Sequence, residues 1–277
     1  MDWILALKAL LLGLVEGLTE FLPVSSTGHL IVVEDLVRFR TGSREAFLVA
    51  IQGGAILAVC WEFRARLWHM LRGLTHDAAE QRLALNVVIA FIPAAVLGVL
   101  FKRLIEAVLF FSVPVAAALV VGGLVILWVE RVHAARDYHP RVNSLDEIRP
   151  MDAFKIGCAQ CFALIPGTSR SGATIIGGIL FGLSRTAATE FSFFLAMPTV
   201  IGASVYALYE ARAQLHAADL PIFALGFVAA FVSALLCVRW LLRYVAHHDF
   251  RAFAWYRIVF GGVILLTAWL GWVDWSD

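Results

Sequence analysis

The sequence predicts an all-α polytopic membrane protein built as an inverted-topology repeat. Three observations carry that prediction. Of 277 residues, 61% are hydrophobic and only 16% are charged, a balance outside the range of soluble domains. Six apolar windows are long enough, or nearly so, to cross a bilayer. Two short stretches rich in proline, glycine and hydroxyl residues interrupt apolar arms at corresponding places in the two halves.

The uncharged windows 83–101, 107–129, 191–209 and 220–238 have spanning length, and 46–61 and 258–273 qualify with their aromatic flanks. Arginine marks the loops unevenly. Arg64, Arg66, Arg72 and Arg82 fall in one, Arg131, Arg136, Arg141 and Arg149 in a second, Arg239, Arg243, Arg251 and Arg257 in a third. Short connections near Lys102-Arg103 and Arg212 are poorer in charge. The positive-inside rule places the three arginine-rich loops in the cytoplasm. Tryptophans such as Trp61, Trp68, Trp240, Trp255, Trp269, Trp272 and Trp275 lie mostly near span ends, as interfacial anchors do.

Parity then constrains the rest. Between the inside loop at Arg149 and the outside loop at Arg212 the chain crosses an odd number of times, and 191–209 supplies one crossing. The arms 156–165 and 173–183 therefore add no net crossing, and each is about half a spanning length. They form a re-entrant hairpin whose tip is Pro166-Gly167-Thr168-Ser169-Arg170-Ser171-Gly172. The first half repeats the plan: an arm over 3–22, the break Pro23-Val24-Ser25-Ser26-Thr27-Gly28, and a second arm from Leu30. Each half is then one hairpin plus three spans, and an odd number of spans inserts the halves in opposite senses. The pseudo-repeats cover 1–130 and 151–277, the polar linker 131–150, all in a single integral membrane domain. Asp2 and the chain end at Asp274 and Asp277 fall outside on this topology.

The composition also excludes some classes. The formal net charge is +1, so nothing favours a nucleic-acid partner. Met1-Asp2-Trp3 offers no basic n-region, so no cleaved signal peptide is expected. Cys158 and Cys161 have redox spacing but sit in an apolar arm without a second pair, so they read as packing residues and no disulfide is expected.

The chemistry concentrates at the two tips. Arg170 is the only charge between Lys155 and Arg185, and an arginine at membrane depth is rarely without function. Gly167, Thr168, Ser169, Ser171 and Gly172 leave backbone N–H groups and hydroxyls beside it, a nest for an anion. Glu16 and Glu20, four apart, share one helix face just before the first tip. Two carboxylates among apolar residues either share a proton or hold a cation, and oxygen-only ligands suit Mg²⁺ or Ca²⁺ with a substrate phosphate completing the shell. Ser25, Ser26 and His29 follow, and a serine with a histidine three residues on is a candidate nucleophile–base pair. Carboxylates at one tip and an arginine at the other fit metal-assisted phosphoryl chemistry on a pyrophosphate.

Glu16-Gly-Leu-Thr-Glu20-Phe-Leu-Pro-Val-Ser-Ser-Thr-Gly-His29 and Pro166-Gly-Thr-Ser-Arg-Ser-Gly-Ala-Thr174 resemble the two signature motifs of the BacA-type undecaprenyl-pyrophosphate phosphatases. The likeness extends through Ile51-Gln52-Gly53-Gly54 and Ala188-Thr189-Glu190-Phe191, with departures confined to loops and apolar positions such as Gly53. It implies a bacterial inner-membrane hydrolase, opening to the periplasm, that removes the terminal phosphate of undecaprenyl pyrophosphate. That reaction recycles the carrier for peptidoglycan synthesis and confers bacitracin resistance. It also implies a divalent cation. Carried over by position, Glu16 and Glu20 handle metal or proton and Ser26 attacks, with Ser25 and Thr27 contacting phosphate. His29 acts as base and then acid, or as the nucleophile itself. Arg170 clamps the phosphates, helped by Ser169, Ser171 and Thr174. Gln52, Gln160 and Glu190 are expected to support these groups. The partners are the polyprenyl pyrophosphate and membrane lipid, with the assembly left open, a homodimer included. A polyprenyl-phosphate flippase or transporter is the alternative, because inverted repeats with broken helices are also a transporter architecture.

Overall fold

A computed structural model describes residues 3–39, 44–109, 111–135, 139–211 and 217–270. Eleven α-helices run through these residues: α1 (Trp3–Thr19), α2 (Ser26–Val37), α3 (Arg44–Glu62), α4 (Arg64–Gly73), α5 (Ala78–Leu109), α6 (Ser112–Ala135), α7 (Pro150–Gln160), α8 (Arg170–Leu180), α9 (Arg185–Ala211), α10 (Leu220–Val245) and α11 (Arg251–Trp269). Among the described residues the only β contact is an isolated bridge between Val142 and Leu183. Six helices are long and apolar enough to cross a membrane: α3, α5, α6, α9, α10 and α11. In α5 and α11 only 28% of the most apolar window is buried inside the protein, so the outward faces of these helices suit acyl chains.

Four expectations are corrected. Lys102 and Arg103 lie inside α5, which continues to Leu109, and the following helix starts at Ser112 rather than at Ala107. Lysine and arginine propagate a helix well. The arginine-rich stretch after α3 is helix α4, not a loop: nothing breaks the helix before Gly73. Arg64 and Arg72 lie over the Trp61 and Trp68 rings at 5.0 and 4.7 Å. The polar linker begins later than 131, because α6 extends through Ala135. The third arginine-rich loop is helical as well: Arg239 and Arg243 lie in α10, Arg251 opens α11, and Arg257 is a fully buried residue of α11. Lys102's side chain, Arg136, Arg212, Trp272, Asp274, Trp275 and Asp277, with Asp2, lie outside the described residues.

The arginine-rich segments converge on one end of the bundle. Arg66 donates to both oxygens of Glu80 and to Asp146, Arg239 donates to Glu62, and Arg185 donates to the buried Glu130, which also accepts the Phe250 N–H. The linker is held there too. Arg141 bridges Asp152 and the Phe181 carbonyl, and Asn86 donates to the Ile148 carbonyl. At the other end Glu34 of α2 pairs with Arg44 of α3 at 2.6 Å.

Small residues set how closely the helices approach. Gly13 and Gly17 of α1 face Gly226, Ala230 and Ala234 of α10, and a Cβ added at Gly17 would overlap Ser233 Oγ and the Ala230 carbonyl. Gly157 of α7 faces the Ala90 backbone of α5 in the same manner. The principal pairings are α1 and α3 on α10, α6 against α11 and α7 on α5, with α3 also against α9. Gly17→Val should push α1 away from α10 and destabilise the protein by about 1–3 kcal/mol, the usual penalty for overpacking. Thermal melting in detergent micelles measures it, and an unchanged Tm would contradict the close approach.

Candidate functional site

The tips are built alike. Ser25 caps α2 with φ 72°, its Oγ accepting the Gly28 N–H at 3.5 Å; Ser169 caps α8 with φ 73°, its Oγ accepting the Gly172 N–H at 3.1 Å. A positive φ is strained for serine and persists only when its surroundings impose it. The side-chain cap satisfies one of the free N–H groups at each helix start. Ser26 and Arg170 are the first residues of the two helices.

The tips touch. Ser171 Oγ donates to the Leu22 carbonyl at 2.7 Å, and Ser169 Oγ donates to the same oxygen at 3.4 Å. Ser26 Oγ donates to Glu20 Oε2 at 2.5 Å. Arg170 Nη2 donates to Glu20 Oε1 at 3.4 Å, Nη1 donates to the Ser192 carbonyl, and the guanidinium lies 5.9 Å from the Phe21 ring centroid. Glu20 therefore joins the serine of one tip to the arginine of the other. Arg170 Nε is buried and has no hydrogen-bond partner among the described residues, which leaves a donor for an incoming anion.

A cavity of about 190 Å³ opens beside these groups. Its polar wall is Glu20, Ser25, Ser26, Thr27, Gln52, Gly167, Ser169, Arg170 and Thr199; its apolar wall includes Ile165, Val200 and Ala203. The starts of α2 and α8 both reach it, so two helix N-termini add positive field to the arginine.

Other expected site residues stand behind the wall. Thr174 Oγ1 meets Ser192 Oγ at 2.6 Å and, with Ser171, braces α8. Gly172 supplies the capped N–H, and Thr168 turns its carbonyl away to Arg257. Gln160 accepts from Thr199 at 3.4 Å. Glu190 is not in the cavity wall. Glu16 is 2% exposed, and its Oε2 has no hydrogen-bond partner among the described residues.

His29 is the clearest departure. It does not line the cavity. One ring nitrogen meets the Ser25 carbonyl at 2.7 Å, the other meets Tyr256 Oη at 2.6 Å, and the ring stacks on Phe260. The Ser26 hydroxyl is committed to Glu20 instead of forming the serine–histidine pair that the spacing suggested. Sequence reasoning also missed Thr199, Ser192 and Tyr256. A hydroxyl beside Pro198 in the middle of a span was the available signal for Thr199. Cys158 is exposed and Cys161 partly buried, both free, so only Cys161 packs as expected.

Comparison with known proteins places this arrangement. The family model described as "Bacitracin resistance protein BacA" matches residues 9–263. The undecaprenyl-diphosphatase of Janthinobacterium sp. (strain Marseille) is 58% identical over 277 residues, covering all of both chains. That of Dechloromonas aromatica (strain RCB) is 60% identical over 276 residues, covering 100% of this chain and 99% of that protein. Undecaprenyl-diphosphatase 1 of Burkholderia cenocepacia (strain HI2424) is 59% identical over 276 residues, covering all of both. With a family match along nearly its whole length and full-length relatives at such identity, the chain belongs to the BacA family of bacitracin resistance proteins.

Proposed function

We propose that this protein is an undecaprenyl-diphosphatase, hydrolysing undecaprenyl pyrophosphate to undecaprenyl phosphate and inorganic phosphate. The observation that carries the reading is the shared cavity, where Glu20 receives the hydroxyl of Ser26 and the guanidinium of Arg170 together. The full-length similarity to proteins named undecaprenyl-diphosphatase supplies the substrate.

Ser26 Oγ attacks the terminal phosphorus while its proton passes to Glu20, and the bridging P–O bond breaks to release undecaprenyl phosphate. Glu20 returns that proton to the departing undecaprenyl phosphate. Water then attacks the phosphoserine with Glu20 taking its proton, and Glu20 passes it to the serine oxygen as the bond from Ser26 to phosphorus breaks and inorganic phosphate leaves. Arg170, the two helix starts and the hydroxyl of Thr27 steady the charge on the equatorial oxygens. Glu20 replaces His29 as proton acceptor because it already holds the Ser26 hydrogen bond, whereas both ring nitrogens of His29 are engaged elsewhere. His29 instead holds the Ser25 carbonyl and with it the strained cap.

A divalent cation fits the residues present. Hard cations take oxygen ligands, and Glu16 Oε2 is a buried carboxylate oxygen without a partner among the described residues, one helical turn from Glu20. Glu16 and Glu20 would hold the ion, which supplies charge neutralisation between carboxylates and diphosphate.

The fold reading follows the same lines. Gly13 and Gly157, Ser25 and Ser169, Gly28 and Gly172 recur at one constant offset, and each half lays its first helix on the second span of the other. This supports two inverted repeats, each a re-entrant hairpin plus three spans, in the inner membrane. The cavity residues Gln52, Thr199 and Ala203 lie in the halves of α3 and α9 remote from the arginine-rich end, which supports a periplasmic opening. The crossed packing also keeps a flippase reading in play; vesicles that translocate labelled polyprenyl phosphate without phosphate release would favour it.

Purified protein given undecaprenyl pyrophosphate and Mg²⁺ should release phosphate, and chelation of divalent cations should stop it. Arg170→Lys should lower kcat by about 10³-fold; wild-type kcat would reject the clamp. Ser26→Ala and Glu20→Gln should be strongly non-additive, the double variant about as slow as the slower single one. An acid-stable phosphopeptide containing Ser26 supports the serine nucleophile, and an acid-labile one on His29 would overturn it.

A further inference from the structure

Arg257 is 1% exposed and heads the largest fully buried side chains of the protein. It makes no ion pair among the described residues. All five of its N–H donors go instead to main-chain carbonyls. Nη1 donates to Pro23 at 3.1 Å and to Thr168 at 2.8 Å; Nη2 donates to Gly167 at 3.0 Å and to Ala118 at 3.2 Å; Nε donates to Leu119 at 3.2 Å. Pro23 belongs to the first tip, Gly167 and Thr168 to the second, and Ala118 and Leu119 to α6. One guanidinium thus ties both tips to a single spanning helix.

The surrounding sequence is shaped to admit it. A Cβ at Gly122 would overlap the guanidinium, and one at Gly172 would lie 3.0 Å from Nη1. The planar fork has five fixed donors, whereas a lysine has three on a mobile stem. A lysine would leave at least two carbonyls unbonded inside the protein. The peptide joining Thr168 to Ser169 has its carbonyl on Arg257, so its planar trans geometry turns the Ser169 N–H to the opposite side. Ser169 lines the cavity and Arg257 does not.

We propose that Arg257 is a positioning residue for phosphate release: by capturing carbonyls of both tips it fixes the distance between the Ser26–Glu20 pair and Arg170. Uncompensated by a carboxylate, its charge is spread over carbonyl dipoles that belong to the very segments it must hold. The inference rests on the phosphatase reading for its kinetic consequence, not for the clamp itself.

The test compares wild type, Arg257→Lys and Gly122→Ala, purified in detergent with Mg²⁺. Phosphate release from undecaprenyl pyrophosphate is followed, together with amide hydrogen exchange by mass spectrometry. Both variants should lose about a hundredfold in kcat, as expected for misplaced reacting groups, with KM within about threefold. Exchange should quicken in 20–28 and 165–172 while α3 and α9 keep wild-type protection. Wild-type kcat with unchanged exchange at both tips would overturn the proposal. So would faster exchange throughout the chain in both variants, which marks a residue serving stability alone. Should Arg257→Lys fail to fold, Gly122→Ala carries the test with the arginine retained. If wild type itself releases no phosphate, the phosphatase reading fails, and the exchange pattern still decides whether Arg257 holds the tips.

Discussion

The contact between the two hairpin tips is the interaction on which the rest of this structure depends. Neither tip is a regular element, and each leaves main-chain groups without helical partners. In an apolar surrounding such groups must be bonded within the protein. The Leu22 carbonyl accepts from Ser169 and Ser171, and the Pro23, Gly167 and Thr168 carbonyls accept from Arg257. The second tip thus satisfies part of the first tip's demand, and Arg257 of α11 satisfies part of both. The same bonds place a serine, a carboxylate and an arginine from distant parts of the chain around one cavity.

Helix packing makes that contact available. Gly13 and Gly17 let α1 lie close to α10, while Gly157 does so for α7 on α5. Moving either hairpin outward would separate Glu20 from Arg170, whose bond at 3.4 Å is already long. Side chains that never touch the cavity therefore control its geometry. His29 is one such side chain outside the cavity, joining the Ser25 carbonyl to Tyr256 of α11.

Much of this was legible in the sequence, for reasons that differ by feature. The spans were legible because an uncharged run near eighteen residues has few alternatives. The tips were legible because proline, glycine and hydroxyls cluster where apolar arms stop. Arg257 was not, since it lies six positions after Arg251 and reads as one more basic residue at a helix end. Its partners are carbonyl oxygens, which every residue carries, so no residue type betrays them. A direct Ser26–His29 hydrogen bond does not form, because spacing along a helix gives a shared face, whereas Ser26 begins that helix and turns back to Glu20. Lys102 and Arg103 read as a loop because charge marks a membrane boundary, yet both residue types propagate a helix and α5 runs on past them to Leu109.

Ser26 and Arg170 stand at the same place in their tips, each immediately after a serine cap of the same unusual backbone shape. Identical tips would put two hydroxyls, or two guanidiniums, where the cavity has one of each. Two hydroxyls would leave Glu20 without the Arg170 guanidinium, and two guanidiniums would leave it without the Ser26 hydroxyl. The pocket therefore depends on a difference between two matching positions, and grafting either motif onto both tips would remove one of the two unlike groups that meet at Glu20.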